Sequence, residues 1–175
     1  MNKEYKRLLI FLSVFLFILI VFILYAAWPI ITGKTVILAT MPIDPFDIFR
    51  GQYLAINYEI SRIPVIEGIN AGDTIYVALK KDENHTYRYA VASLKNNFKL
   101  NFEPVIIKGQ VKSIWGGNMN IEYGIEQYFF ERNAWVSNRI TNVEVKVDES
   151  GNARIIRLLN ATLGPAEIKY SDSLA

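Results

Sequence analysis

The chain has 175 residues, of which 51% are hydrophobic, and this length predicts one domain plus little else. It contains no cysteine and a single histidine, which excludes disulfide frameworks, thiolate catalysis and metal sites built from cysteine or from several histidines. Its 19 basic and 17 acidic residues leave a net charge of only +2, so we expect no nucleic-acid partner.

The N-terminal segment reads as an apolar helix long enough to cross a membrane. Leu8–Trp28 contains 16 Leu, Ile, Phe or Val residues and one clearly polar side chain, Ser13. At 1.5 Å per residue this run spans roughly 31 Å, which matches a bilayer core of about 30 Å. It is longer than the apolar core of a signal peptide, and Leu24–Ala27 is a poor cleavage site, so we expect an uncleaved signal-anchor in the lipid bilayer. Tyr25 and Trp28 would lie at the far interface.

The flanking charges predict how this helix is oriented. Three of the first seven residues are basic, whereas only Lys34 follows the apolar run closely. By the positive-inside rule, the N-terminus lies in the cytoplasm and the rest of a single-pass protein lies outside the cell membrane. The outer part holds 16 basic and 16 acidic residues and is neutral. The predicted division is a cytoplasmic tail (1–7), an anchor (8–28), a tether (29–34), an outer domain (35–170) and a flexible tail (171–175).

From Thr35 onward, apolar residues alternate with polar ones, which is the pattern of half-buried β-strands. Turn residues at Lys81–Asn84 and Asp148–Asn152 predict two hairpins. A short helix is expected in Gln127–Arg139, which is less strand-like. The elements together predict a mainly-β extracytoplasmic domain, a barrel or sandwich with minor α content. The predicted strands cover Leu54–Ile60, Ile75–Leu79, Tyr87–Val91, Val105–Trp115 with Gly109 as a candidate bulge, Val143–Val147 and Ala153–Leu158.

Two stretches of the outer domain carry a family likeness. Residues 38–56 read LATMPIDPFDIFRGQYLAI, and residues 123–131 read YGIEQYFFE. In order and spacing they resemble the GDYXXLXP family of membrane-anchored proteins. The resemblance implies an anchored outer domain without established activity and a polytopic membrane protein as partner, since such proteins are often encoded beside one. Gln52, Ile56 and Tyr58 stand where the motif of that family has Asp, Leu and Pro.

The turn around Arg50 is the candidate site of the outer domain. Gly51 can supply a positive φ at the entry to the next strand, and Arg50 can reach a carboxylate on either stretch. In one interpretation this pair is a clamp that fixes the loop to the barrel; in the other, Arg50 binds a small anionic ligand bidentately. The clamp is favoured, because structural ion pairs are commoner than ligand sites. The candidate residues are Asp44, Arg50, Gly51, Tyr53, Glu126, Tyr128 and Glu131.

A hydrolase related to signal peptidases is an alternative from a different class. The run Thr40-Met41-Pro42, followed by Arg50-Gly51, is similar to the Ser-Met-x-Pro segment and glycine turn of those enzymes. Their chemistry needs a hydroxyl that a base activates, so His85 or Lys95 would have to serve Thr40. This catalytic constellation is incomplete, and we expect no enzymatic activity, no metal site and no cofactor.

Two sequons match the N-glycosylation acceptor pattern, at Asn84 and Asn160. Weighing these features together, we expect a non-catalytic, membrane-anchored domain. It would bind or stabilise a membrane-protein partner outside the cytoplasm.

Overall fold

The computed structural model describes residues 3–41, 53–129, 134–136 and 140–170. Its first element is the helix α1 (Lys3–Thr32), and nearly all of its large apolar side chains are exposed. In the described part of the chain, α1 is the one helix long and apolar enough to cross a membrane. A helix that is apolar on every side and exposed along nearly all of its length is typical of a membrane span. The helix is therefore a candidate membrane anchor.

The helix passes almost directly into the β domain. The predicted tether, residues 29–34, is helical as far as Thr32, and the first strand, β1, begins at Lys34. The helix continues through Pro29, and Ile30 and Ile31 extend the apolar run beyond Trp28. Only Gly33, a residue of low helix propensity, separates helix from strand.

The remainder of the described chain is β structure with one short 3-10 turn at Glu59–Ser61. Eight strands form one curled sheet in the order β11-β10-β1-β5-β4-β6-β7-β3, and two short pairs, β12-β9 and β2-β8, accompany it. The strands are β1 (Lys34–Ala39), β2 (Tyr53–Ala55), β3 (Arg62–Pro64), β4 (Thr74–Lys81), β5 (Tyr87–Ser93), β6 (Val105–Trp115), β7 (Asn118–Glu122), β8 (Gln127–Phe129), β9 (Ala134–Val136), β10 (Asn142–Val147), β11 (Ala153–Leu159) and β12 (Ile168–Tyr170).

The core lies on one face of the curled sheet because the apolar residues follow a period of two. On β10, for example, Val143, Val145 and Val147 are buried while the residues between them are only partly buried. Neighbours in the large sheet pair antiparallel, except that β1 runs parallel to β5. This arrangement confirms the predicted class, an apolar helix followed by a mainly-β domain. Fully buried members of the core include Val36, Leu38, Ile75, Val77, Leu79, Ile107, Val111, Met119, Val143 and Val145.

Three expectations about local structure were wrong. The short helix expected in Gln127–Arg139 is absent from the described residues there, which form β8 and β9, because each pairs with a distant strand and such pairing overrides weak local preference. The strand expected over Leu54–Ile60 ends at Ala55, although the alternation of burial continues to Ile60. Gly109 is not a bulge: it stands in register opposite Ile75, and the irregularity of β6 lies beyond Val111.

Three five-residue turns, 82–86, 148–152 and 160–164, share one geometry, and the first two form the predicted hairpins. In each, the side chain of the first residue accepts a hydrogen bond from the backbone N–H of the fifth, at 2.8–3.0 Å. The fourth residue has a positive φ in each turn: 65° at His85, 84° at Gly151 and 60° at Leu163. In the first turn, hydrogen bonds from Thr86, Arg88 and Asn84 outweigh desolvation and hold the pKa of Asp82 below its usual value.

The His85→Gly variant is expected to raise the free energy of unfolding by about 0.5–1 kcal/mol. Glycine adopts the left-handed region without the strain that a side chain causes there, which outweighs its larger entropy in the unfolded chain. Urea denaturation of the detergent-solubilised chain would measure the change. Gly151→Ala, at the same position of another turn, should lower the free energy of unfolding, since a Cβ there would also lie 2.9 Å from the backbone N of Lys108. Equal stability of all three chains would contradict the role assigned to the fourth position.

Candidate functional site

The two stretches that carry the family likeness lie side by side in the fold. Strand β2 pairs antiparallel with β8, with Tyr53 opposite Phe129 and Leu54 opposite Tyr128. The ladder continues one step further, because the Ile56 N–H donates to the Glu126 carbonyl at 2.7 Å. Segments far apart in the chain thus form one unit. We call residues 53–60 together with residues 123–129 the clasp.

Two buried tyrosines join the halves of the clasp in opposite directions. The Tyr58 hydroxyl donates to the Ile125 carbonyl at 2.6 Å. The Tyr123 hydroxyl donates to the Ile60 carbonyl at 2.7 Å. Each half therefore supplies one phenol and one carbonyl. Because both phenols are buried, breaking either bond would leave a polar group in the core without its partner, a cost of about 1–3 kcal/mol.

Glu126 closes the turn between the buried tyrosine and β8. Its carboxylate accepts a hydrogen bond from the Tyr123 backbone N–H at 2.5 Å, across a turn in which Gly124 has a φ of 79°. Burial, and secondly the negative charge of Glu126, raise the pKa of Tyr58 and of Tyr123 far above the usual value for tyrosine. Both phenols therefore remain protonated donors in the folded protein.

The structure accounts for some of the predicted site residues. Tyr53 and Tyr128 lie in the paired strands β2 and β8, and Glu126 closes the turn of its own segment. Neither the Arg50 clamp nor the anion site is tested, so both stay predictions. Asp44, Arg50, Gly51 and Glu131 lie outside the described residues, as does the predicted tail 171–175.

Two of the side chains that the hydrolase alternative invokes, those of Thr40 and His85, have other contacts. The Thr40 hydroxyl donates to the Ile140 carbonyl at 3.5 Å, and the ring Nδ1 of His85 lies 3.2 Å from the Glu83 carbonyl. His85 is exposed on the β4–β5 turn, whereas Thr40 is half-buried at the end of β1. The Thr40 hydroxyl and the His85 ring therefore each contact a backbone carbonyl and not each other.

The two sequons coincide with two of the shared turns. In the first, the buried Thr86 hydroxyl donates to Asp82 at 2.9 Å. In the second, Oδ1 of Asn160 accepts hydrogen bonds from Thr162 and Gly164. Polar residues at these spacings thus have a structural use in the turns, and glycosylation at Asn84 and Asn160 stays a prediction.

Sequence reasoning missed the residues that hold the clasp together. The family resemblance marks Tyr58 as a departure from the motif and includes Tyr123 only as the first residue of the second stretch. Their partners, Ile60 and Ile125, contribute backbone carbonyls, which leave no trace in a sequence. The available signal was the burial period: Ile56, Tyr58 and Ile60 fall on one face, as Tyr123 and Ile125 do.

The junction between helix and β domain is braced by side chains from distant strands. We use the word junction for residues 32–34 with their partners Lys146 and Glu103. The Lys146 ammonium donates to the Gly33 carbonyl at 3.0 Å, which places a positive charge at the negative end of the helix dipole. Lys34 forms an ion pair with Glu103, and the Thr32 hydroxyl donates to the Trp28 carbonyl at 2.9 Å.

Comparison with known proteins gives one family. The model of a family described as GDYXXLXY protein matches residues 15–158, from the middle of α1 into β11. The last position of that motif is tyrosine, so Tyr58 agrees with it, and the earlier expectation of proline there was wrong. Gln52 and Ile56 remain departures from the Asp and Leu of the motif. No curated protein and no solved structure is significantly similar to the chain.

Proposed function

The chain belongs to the GDYXXLXY family, and from that premise we propose that it is a single-pass membrane protein whose extracytoplasmic β domain binds or stabilises a membrane-protein partner. The observation that carries the proposal is the junction. One residue, Gly33, separates an exposed apolar helix from the first strand of the sheet.

The junction leaves little freedom between anchor and domain. Lys146 reaches Gly33 from β10, and Glu103 reaches Lys34 from the residues just before β6. With a long flexible tether the domain would sample many orientations, and only a small fraction of them would allow it to bind a partner. A stiff junction instead presents one face of the domain to other proteins in the same membrane, which lowers the entropy cost of binding them.

The clasp offers a contact for such a partner. Phe129 lies at the end of β8 with 72% of its surface exposed, next to the strand pairing that the buried tyrosines brace. Large aromatic side chains on a rigid backbone contribute strongly to protein interfaces, because little conformational entropy is lost when they are covered. We therefore place the partner contact on the β2–β8 side of the domain.

Cysteine labelling would test the location of the domain. The chain has no native cysteine, so single substitutions at Lys3 and at Asn96 report without background. In intact cells, a membrane-impermeant maleimide is expected to label Asn96→Cys and not Lys3→Cys. Labelling of Lys3→Cys alone would reverse the proposed orientation, and equal labelling of both would contradict a spanning helix.

A photo-crosslinking amino acid at Phe129 would test partner binding. In native membranes we expect one crosslinked integral membrane protein. Insertion of a flexible Gly-Ser linker of about six residues between Gly33 and Lys34 should abolish that product, because it releases the domain from the helix. The matched control is the same linker after Asn96, an exposed loop residue.

Two results of the crosslinking experiment would contradict the proposal. The absence of any crosslinked membrane protein would argue against partner binding at this face. A crosslink that survives the linker at Gly33 as well as it survives the linker at Asn96 would remove the role of the stiff junction.

A further inference from the structure

The outward face of strands β10 and β11 carries two pairs of charged residues that stand opposite each other. Farther from α1, Glu144 stands opposite Arg157, and their side chains form an ion pair at 2.7 Å. Nearer to α1, Lys146 stands opposite Arg154, so two cations face each other. Side chains directly opposite in an antiparallel pair have Cβ atoms about 4.5–5.5 Å apart, and like charges there are destabilising. The pair of cations therefore needs an explanation that the ion pair does not.

The structure offers Arg154 no anion of its own. Across the described residues, its exposed side chain has neither a hydrogen-bond partner nor an ion-pair partner. The acids closest to it along the chain belong to the turn 148–152. Asp148 is occupied within that turn, because it accepts hydrogen bonds from Asn152. Glu149 is exposed and forms no ion pair with any residue that the structure describes.

The pair of cations lies at the level of the lipid headgroups. The uncharged run of α1 extends from Leu8 to Ile31, 24 residues or roughly 36 Å of helix. A hydrocarbon core is about 30 Å thick, and the headgroup regions bring a bilayer to about 40–45 Å. The helix therefore ends within a headgroup region. The Lys146 ammonium is 3.0 Å from the carbonyl of Gly33, directly after the helix, and both β10 and β11 contact α1.

We propose that Lys146 and Arg154 bind the phosphate of an anionic phospholipid in the leaflet where α1 ends; this rests on the anchoring proposed above. A guanidinium group pairs with phosphate through two parallel hydrogen bonds, and an ammonium group binds it as a point charge. A phosphate held between the two cations replaces their mutual repulsion with two attractions. An anionic lipid fits better than a zwitterionic one, because its headgroup brings no further cation to the pair.

The position of the pair makes a lipid the source of the phosphate. Anionic headgroups attract lysine and arginine that lie within a Debye length of the membrane surface. The anchor holds the pair at that surface, so headgroups are present at a high effective concentration. A soluble phosphate ion would have to be captured from dilute solution by two side chains on an open sheet face.

Native mass spectrometry of the full chain in nonionic detergent would test the site. The chain is titrated with phosphatidylglycerol or with phosphatidylcholine, and the fraction that carries one lipid gives each affinity. We expect phosphatidylglycerol to bind about fivefold more tightly or better. Arg154→Gln should weaken its binding about fivefold, the effect of one cation near a charged surface, and Arg154→Lys should keep most of it. Changes at Arg154 leave the junction intact, whereas changes at Lys146 would not.

Arg62→Gln is the matched control. Arg62 is also exposed, but it lies in β3, at the opposite edge of the large sheet. This variant should bind phosphatidylglycerol as the natural chain does. Equal weakening by Arg62→Gln and Arg154→Gln would show that only net charge matters, and equal affinity for the two lipids would show no headgroup preference; either result overturns the inference. Displacement of the lipid by millimolar inorganic phosphate would indicate a site for a soluble anion, which also overturns it.

Stability separates lipid binding from an ordinary structural role of Arg154. In lipid-free detergent, Arg154→Glu should shift the urea midpoint upward, because an opposite-charge pair like that of Glu144 and Arg157 replaces a like-charge pair. The same variant should bind phosphatidylglycerol about tenfold more weakly or worse. A fall in the urea midpoint would show that Arg154 stabilises the folded domain without a lipid, and the argument from an uncompensated pair would be wrong.

Flotation with pure phosphatidylcholine vesicles separates failure of this inference from failure of the anchor. After reconstitution the natural chain and all the variants should float with the vesicles, because insertion of α1 does not depend on headgroup charge. If they float but show no preference for phosphatidylglycerol, the headgroup site is refuted and the anchor stands. If the natural chain does not float, the anchor itself is refuted, and the headgroup site with it.

Discussion

Replacing Tyr58 by alanine is expected to lower the free energy of unfolding by about 3–5 kcal/mol, the range for a large aromatic residue removed from a core. Tyr58 is fully buried, and its hydroxyl satisfies the Ile125 carbonyl of the other half of the clasp. The variant therefore loses core packing and a connection between two distant segments. Urea denaturation, followed by circular dichroism, would measure the loss.

Conservative variants separate the hydrogen bond from the packing. Tyr58→Phe keeps the ring and should cost about 1–3 kcal/mol, the cost of an unpartnered buried carbonyl, and Tyr123→Phe should behave alike. Since the two bonds join the same two segments, the double variant should lose less than the sum of the single losses. Tyr76→Phe, on β4 outside the clasp, is the control. Strict additivity, or losses no larger than that of the control, would contradict the reciprocal bracing.

The same tyrosines predict an alkaline dependence of stability. The pKa of Tyr58 is higher in the folded protein than in the unfolded chain, because burial raises it. The stabilisation it provides is therefore complete below the unfolded pKa of about 10 and is lost as the pH rises beyond it. Between about pH 8 and pH 11, Tyr58→Phe should lose less stability than the natural chain. An equal loss of stability in both chains would show that Tyr58 does not contribute to the alkaline destabilisation.

Replacing Gly109 by alanine is expected to destabilise the domain by about 1–3 kcal/mol, the usual cost of overpacking. In most strands this change would help, because glycine costs about 0.5–1 kcal/mol relative to alanine. Here the new Cβ would lie 2.5 Å from Cγ2 of Ile121 and 2.9 Å from Cδ1 of Tyr123. The side chain would also press on a tyrosine that the clasp holds in place.

A second background isolates the steric cause. In an Ile121→Ala chain, the nearest clashing atom is gone, so Gly109→Ala should cost clearly less there than in the natural chain. Urea denaturation of the four chains gives both costs. The same penalty in both backgrounds would show that crowding against Ile121 is not the reason for glycine at this position.

Much of the strand content was readable from local pattern. Ile75–Leu79, Tyr87–Val91 and Val143–Val147 lie within observed strands, and the two charged turns join the hairpins as predicted. These features depend on neighbours in the chain: alternation sets the buried face, and turn residues set the reversal. Gly109 shows where prediction from local pattern fails. Glycine is needed there because the side chains of Ile121 and Tyr123 leave no room for a Cβ, whereas its sequence neighbours suggest a bulge.

The amino-acid sequence by itself determined that an apolar helix precedes a mainly-β domain, and which face of most strands is buried. Both properties follow from residue chemistry repeated at short intervals, 3.6 residues in a helix and two in a strand. The tertiary structure alone decided that Tyr58 meets Ile125, that Tyr123 meets Ile60, and that Lys146 reaches the end of the helix. These contacts join residues far apart in the chain through backbone carbonyls, and every residue type presents the same carbonyl, so only the packing of the whole domain selects the partner.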